Sequence, residues 1–153
     1  MSCKDTLEFY FTLNLLHQEV ARCLKRQASY LGLSSVELQA LWIAGSESTT
    51  TIADLARVTG YTKEQLEKVV SALKRDNLVE EVRTGDSLCT FIRATVEGKH
   101  LLSQVFTRPS RCTCPIKKDD PRFLQLGEVC RSLVMDFRGK GACQLIENAC
   151  RHG

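Results

Sequence analysis

Between Thr62 and Arg75 the polar residues Lys63, Gln65, Lys68, Ser71, Lys74 and Arg75 are interleaved with Leu66, Val69, Val70 and Leu73. The apolar set recurs at helical spacing, which marks one buried stripe. Glu64, Lys68, Ser71 and Arg75 then point outward, with Lys63, Gln65, Ala72 and Lys74 on the flanks. Lys and Arg donate to phosphate oxygens or guanine edges, Gln pairs with adenine, and Ser serves in either role. Thr62 followed three residues later by Gln65 is a capping box, and the helix start it marks presents unbonded backbone N–H groups to a phosphate. Glu64 and Glu67 run against this pattern. A carboxylate repels a phosphate backbone unless it accepts a hydrogen bond from a cytosine amino group. The plainer role for both is pairing with Lys63, Lys68 or Lys74.

A second chemistry lies in the eight cysteines. Cys112 and Cys114 are separated by one residue, and Cys130, Cys143 and Cys150 follow. Zinc pairs usually have two to four residues between them. Two thiolates at this closer spacing, with a third from Cys130 or Cys143, could still hold a soft metal. Arg108, Arg111, Lys117 and Lys118 favour the thiolate form, which oxidants attack, so a redox switch stands beside the metal site. The Cys114-Pro115 dipeptide leaves haem open as a third use, and plain burial is a fourth. Cys23 and Cys89 read as small core residues. His17, His100 and His152 are scattered, without metal or triad spacing. There is no glycine-rich phosphate loop and no Gly-x-Ser-x-Gly, so an enzyme is not expected.

These residues need a scaffold. The chain has 153 residues, enough for one domain or one domain with an appendage. Its 21 Lys and Arg against 18 Asp and Glu give a net charge of only +3. A helix offered to a groove needs local rather than total positive charge, so this balance neither requires nor excludes nucleic acid. Met1 to Asp5 lack a basic start followed by an apolar stretch, and no run approaches the roughly 20 apolar residues that span a bilayer. A cytoplasmic protein with reduced thiols is expected, without a membrane partner.

The periodicity predicts a first helix from about Asp5 to Leu31, with Phe9, Leu13, Leu16, Val20, Leu24 and Leu31 on one stripe. Leu7, Phe11 and Leu15 widen that stripe beyond what one small core needs, which suggests packing against a second copy. Gly32 ends the helix, and Ser34 with Glu37 opens the next by a capping box. Leu38, Leu41 and Trp42 share a face, and Gly45 closes the helix. Ser46 to Thr51 reads as a polar loop whose threonine run can pair as a minimal strand. Thr51 caps a short helix that Gly60 breaks, and Thr62 starts the next. Asn77 is a left-handed stop. Leu78 to Arg83 and Leu88 to Ala94 read as strands around the turn Thr84-Gly85-Asp86-Ser87. Thr95 caps a helix reaching Phe106 or Thr107. Pro109, Pro115 and Pro121 interrupt the chain, a helix follows from Phe123 to Phe137, and Ala142 to Arg151 reads as a short last one.

This order is a winged helix-turn-helix, mainly α with a small β-hairpin wing. It divides into an N-terminal dimerisation helix (1–31), a DNA-binding domain (32–95) and C-terminal helices (96–153) for dimerisation and cysteine chemistry.

Several segments carry a family likeness. They are Leu33-Ser34-Ser35-Val36-Glu37-Leu38, Ile52-Ala53-Asp54-Leu55-Ala56, Val69 to Val79, and Ala94-Thr95-Val96-Glu97-Gly98. In this order the chain resembles the MarR family of winged-helix regulators from about Asp5 to Phe106. The resemblance implies a homodimer that binds a pseudo-palindromic operator on double-stranded DNA as a transcriptional repressor, released by a small molecule or an oxidant. DNA contacts are then expected from Thr62, Lys63, Gln65, Lys68, Ser71, Lys74 and Arg75, and from Arg83, Thr84 and Asp86 at the wing. One departure is that Asp86-Ser87-Leu88 has leucine where family wings carry a minor-groove arginine. Arg83 and Arg93 are the replacements at hand. Two alternatives stay open: a winged helix used only for protein contact, and a thiol- or metal-binding protein.

Overall fold

The computed structural model describes residues 3–46, 50–83, 89–107 and 120–138. In chain order these form α1 (Cys3–Tyr30), α2 (Ser35–Ala44), α3 (Ile52–Thr59), α4 (Lys63–Arg75), β1 (Val79–Arg83), β2 (Thr90–Ala94), α5 (Val96–Thr107) and α6 (Pro121–Arg138).

Local chemistry sets most of the boundaries. Gly32 adopts φ +72°, which lets the Leu33 N–H reach back to the Ala28 carbonyl at 2.9 Å. The next three helices then open with one device. The Ser34, Thr51 and Thr62 hydroxyls accept from the backbone N–H three residues on, while Glu37, Asp54 and Gln65 accept from the capping residue's own N–H. Gly60 ends α3 at φ +76°. Asn77 ends α4 at φ 56°, and the Leu78 N–H closes the turn on the Leu73 carbonyl at 2.8 Å. Removing one cap should have a local and modest effect. Thr51→Ala is expected to cost about 1 kcal/mol and lower the thermal midpoint by about 2–4 °C. Thr51→Ser, which keeps the hydroxyl, should melt with the parent; calorimetry of the pair checks this.

α2 is the hub. It packs against α1, α3, α4, α5 and β2, and Leu38, Ala40, Leu41, Ile43 and Ala44 are all buried. Leu41, Leu55, Leu66 and Leu73 are at most 1 % exposed and form the centre of the core, closed by Val70, Val79, Ile92 and Leu102. The hairpin pairs β1 and β2 antiparallel from Val79↔Ala94 to Arg83↔Thr90. Thr50 adds the expected minimal strand as a single bridge to Ile92, whose N–H donates to the Thr50 carbonyl at 2.7 Å. Thr95 ties the hairpin to the helices: its hydroxyl donates to the Asn77 carbonyl at 2.7 Å and accepts from the Gly98 N–H at 3.0 Å.

Three expectations are corrected. Cys89 is exposed rather than a core residue, because it precedes the first paired residue of β2 at the far end of the wing. Val69 is only half-buried, at the margin of its stripe. α6 begins at Pro121, where the missing N–H costs nothing, two residues before the expected start at Phe123. Just before Pro121, Asp120 accepts from the Arg122 backbone N–H at 2.9 Å. The Arg122 guanidinium beside Asp120 holds its carboxyl below the usual carboxylate range. The turn Thr84 to Ser87 and the segment Ala142 to Arg151 lie outside the described residues.

Candidate nucleic-acid interface

α3 and α4, joined by the tight turn at Gly60, make the helix-turn-helix. α4 is held from behind: Leu66, Val70 and Leu73 are buried against α2 and α3. Its outer surface is left free. Lys63, Glu64, Gln65, Glu67, Lys68, Ser71, Lys74 and Arg75 are all exposed, and Ala72 is half-buried. Glu64, Lys68, Ser71 and Arg75 share the middle of that surface, since residues three and four apart stack on one helical face. With Glu67 and Ala72 they line a shallow depression of about 380 Å³.

Three of the four cations on α4 are engaged with carboxylates. Lys68 Nζ lies 2.9 Å from Glu64 Oε1, Lys74 Nζ 3.0 Å from Glu81 Oε2 on β1, and Arg75 Nε 3.5 Å from Asp76 Oδ1. Exposed pairs of this kind are worth roughly 0–1 kcal/mol, so a phosphate or base edge can replace the carboxylate at small cost. Gln65 is divided: its Oε1 accepts from the Thr62 N–H and hydroxyl at 3.0 and 3.1 Å, which leaves its amide NH₂ for other partners. The Ser71 hydroxyl donates to the Glu67 carbonyl at 2.7 Å.

The hairpin stands beside α4 and packs on it through β1. Of the two replacement arginines, Arg93 is committed at the base of the hairpin. It donates to Glu80 Oε1 through Nε at 3.0 Å and Nη2 at 2.6 Å, directly across the strands. Arg83 is exposed at the end of β1 nearest the tip and has no ion pair among the described residues. Thr84 and Asp86 lie outside the described residues, as do Cys112, Cys114, Cys143 and Cys150. Cys130 is exposed on α6, and the described residues hold no cluster of three metal-ligating side chains.

Two features escaped sequence reasoning. The Lys74–Glu81 contact joins residues on different elements, so no helical spacing signals it. The Thr51–Asp54 capping box was legible in principle: Asp stands where Glu or Gln is usual, and its shorter carboxylate still accepts from the Thr51 N–H at 3.1 Å.

No sequence-family model and no curated protein sequence matches the chain. Solved structures do. BldR, a transcriptional regulator from Sulfolobus solfataricus, superimposes with a TM-score of 0.73 at 18 % identity, over 89 % of this chain and 99 % of its own. A MarR-family transcriptional regulator from Rhodococcus sp. RHA1 gives 0.68 at 17 % identity, over 92 % and 98 %. CouR from Rhodococcus jostii RHA1, solved with p-coumaroyl-CoA bound, gives 0.66 at 19 % identity, over 83 % and 89 %. The match runs through nearly the whole length of these proteins, and the chain has the winged-helix fold of the MarR-family transcriptional regulators.

Proposed function

We propose that the chain is a MarR-family regulator that binds double-stranded DNA as a homodimer and represses transcription from a pseudo-palindromic operator. The observation that carries this is the α4 surface: a helix braced by Leu66, Val70 and Leu73, its outer face open and carrying Lys, Arg, Gln and Ser donors, beside a hairpin whose first strand ends at Arg83. Residues 32–95 then read DNA, while 1–31 and 96–153 supply the dimer. Support for the dimer is apolar surface that no described residue covers. Leu7, Phe9, Tyr10, Phe11, Leu13, Leu15 and Val20 on α1 are exposed, as are Leu124, Val129, Leu133 and Met135 on α6. Large apolar side chains left exposed in such number on two helices mark an interaction site.

The test is a fluorescence-anisotropy titration with the duplex flanking the chain's own gene, repeated across salt. Affinity should fall with salt at a slope of about 0.9 per phosphate contact. Lys68→Ala and Arg75→Ala should each weaken binding with the fold intact, and loss of a phosphate contact should reduce the slope by about 1. A folded dimer with no affinity for DNA would instead favour a protein-contact module. That second reading draws on the carboxylates that engage Lys68, Lys74 and Arg75.

Thiol sensing is the finer part of the reading. Cys130 presents an exposed thiol on a helix with uncovered apolar residues, so its oxidation would act on the dimer contact. Peroxide should lower DNA affinity in protein purified without oxygen, and Cys130→Ser should blunt the effect. Affinity indifferent to peroxide would remove the sensing role.

A further inference from the structure

We propose that Glu64 and Lys68 together read a single C·G base pair, Glu64 accepting from the cytosine amino group and Lys68 donating to guanine O6 and N7. The assignment rests on the DNA-binding reading of α4.

Both residues lie on the face opposite Leu66, Val70 and Leu73, within the first two turns of the helix. In a helix-turn-helix it is the N-terminal part of this helix that reaches base edges. Their side chains are 78 % and 76 % exposed, so the fold makes no structural use of the pair. An acid at this place has a restricted choice of partners. It is repelled by phosphates and by the acceptors that dominate the major groove, and the donors there are the cytosine and adenine amino groups.

The neighbouring ammonium decides between the two. Adenine's amino group is flanked on both sides by acceptors, its own N7 and thymine O4, and the thymine methyl stands beyond. A carboxylate there meets like partial charge on either side. Cytosine's amino group has an acceptor on one side only, guanine O6, with N7 next to it. The protein offers the complement: an acceptor and a donor side by side, with Lys68 Nζ 2.9 Å from Glu64 Oε1. The amino group and O6 of a C·G pair are themselves joined by a hydrogen bond of about 2.9 Å. Each charge of the ion pair therefore faces its opposite across the interface, and neither is left without a partner when water is expelled. Glu67 lies toward the edge of the same surface, nearer Lys63 and Lys74, and has no such neighbour at hydrogen-bond distance among the described residues.

Selection of bound duplexes from a random-sequence library tests this, using the full chain and the variants Glu64→Gln and Lys68→Gln. Circular dichroism should show all three folded, as both positions are exposed. The wild-type motif should contain one C·G pair per half-site, preferred by about tenfold or more. Glu64→Gln should lose that preference and admit A·T at the same position, because an amide can pair with adenine. Lys68→Gln should relax the same position and no other. If both variants enrich the wild-type motif unchanged, with affinity lowered uniformly, the pair only touches backbone and the assignment is overturned. A wild-type chain that enriches no motif overturns the DNA-reading function itself.

Discussion

Gly98→Ala is expected to lower the thermal midpoint by about 6–12 °C, from a cost of about 3 kcal/mol. Gly98 lies in the first turn of α5, where the helix crosses the start of the hairpin. A Cβ built there would sit 2.1 Å from the Leu78 carbonyl oxygen and 3.1 Å from Leu41 Cδ1. The oxygen cannot simply step aside. It accepts from the Thr95 N–H at 3.0 Å, and Leu78 is fastened to the end of α4 by its own N–H. Thr95 is in turn bonded to Asn77 and Gly98. Making room for one methyl thus means moving a backbone junction that joins α4, the hairpin and α5. Gly45 provides the control. A Cβ there would also be crowded, at 2.7 Å, but by the end of the Leu102 side chain, which can change rotamer. Gly45→Ala should therefore cost much less. A Gly98→Ala protein melting within about 2 °C of the parent would show that the junction is softer than its geometry indicates.

If α1 joins two copies as proposed, introducing two charges on it should separate the subunits and lower operator affinity by about 10²- to 10⁴-fold. The variant is Phe9→Glu with Leu13→Glu. Phe9 is 56 % and Leu13 44 % exposed, so neither contributes to the core of one chain. The fold of each subunit should survive, with an unchanged far-ultraviolet spectrum. What is lost is the second recognition helix. Two half-sites about 34 Å apart are engaged together only when the helices are joined, and the joined pair gains affinity through effective concentration rather than through new contacts. Sedimentation velocity and anisotropy measured on the same sample check both halves of the prediction. A variant that sediments as the parent does would place the dimer contact elsewhere, and a monomer with parental affinity would remove the need for a dimer.

The parts of the fold that could be read in advance share a physical basis. Ser34 with Glu37, Thr62 with Gln65, Gly60 and Asn77 act within four or five residues of themselves, through one hydrogen bond or one backbone dihedral. Such interactions are written in the chain and need no partner from afar. The same holds for the buried stripe of α4, since helical period alone brings Leu66, Val70 and Leu73 to one side. Cys89 misled because a strand's alternation does not tell how far along the hairpin the core extends. Arg93 was offered to the wing tip, but the register places it opposite Glu80 at the base.

Sequence by itself determined the succession of helices, the hairpin and the outward side of α4, because caps, turns and periodicity are short-range. Only the tertiary structure decided which charges pair across elements and which glycine is indispensable. Lys74 meets Glu81, and Gly98 meets Leu78, across elements that the core brings together. Contacts of that kind depend on how the helices and the hairpin are stacked, and nothing in the local spacing of residues records it.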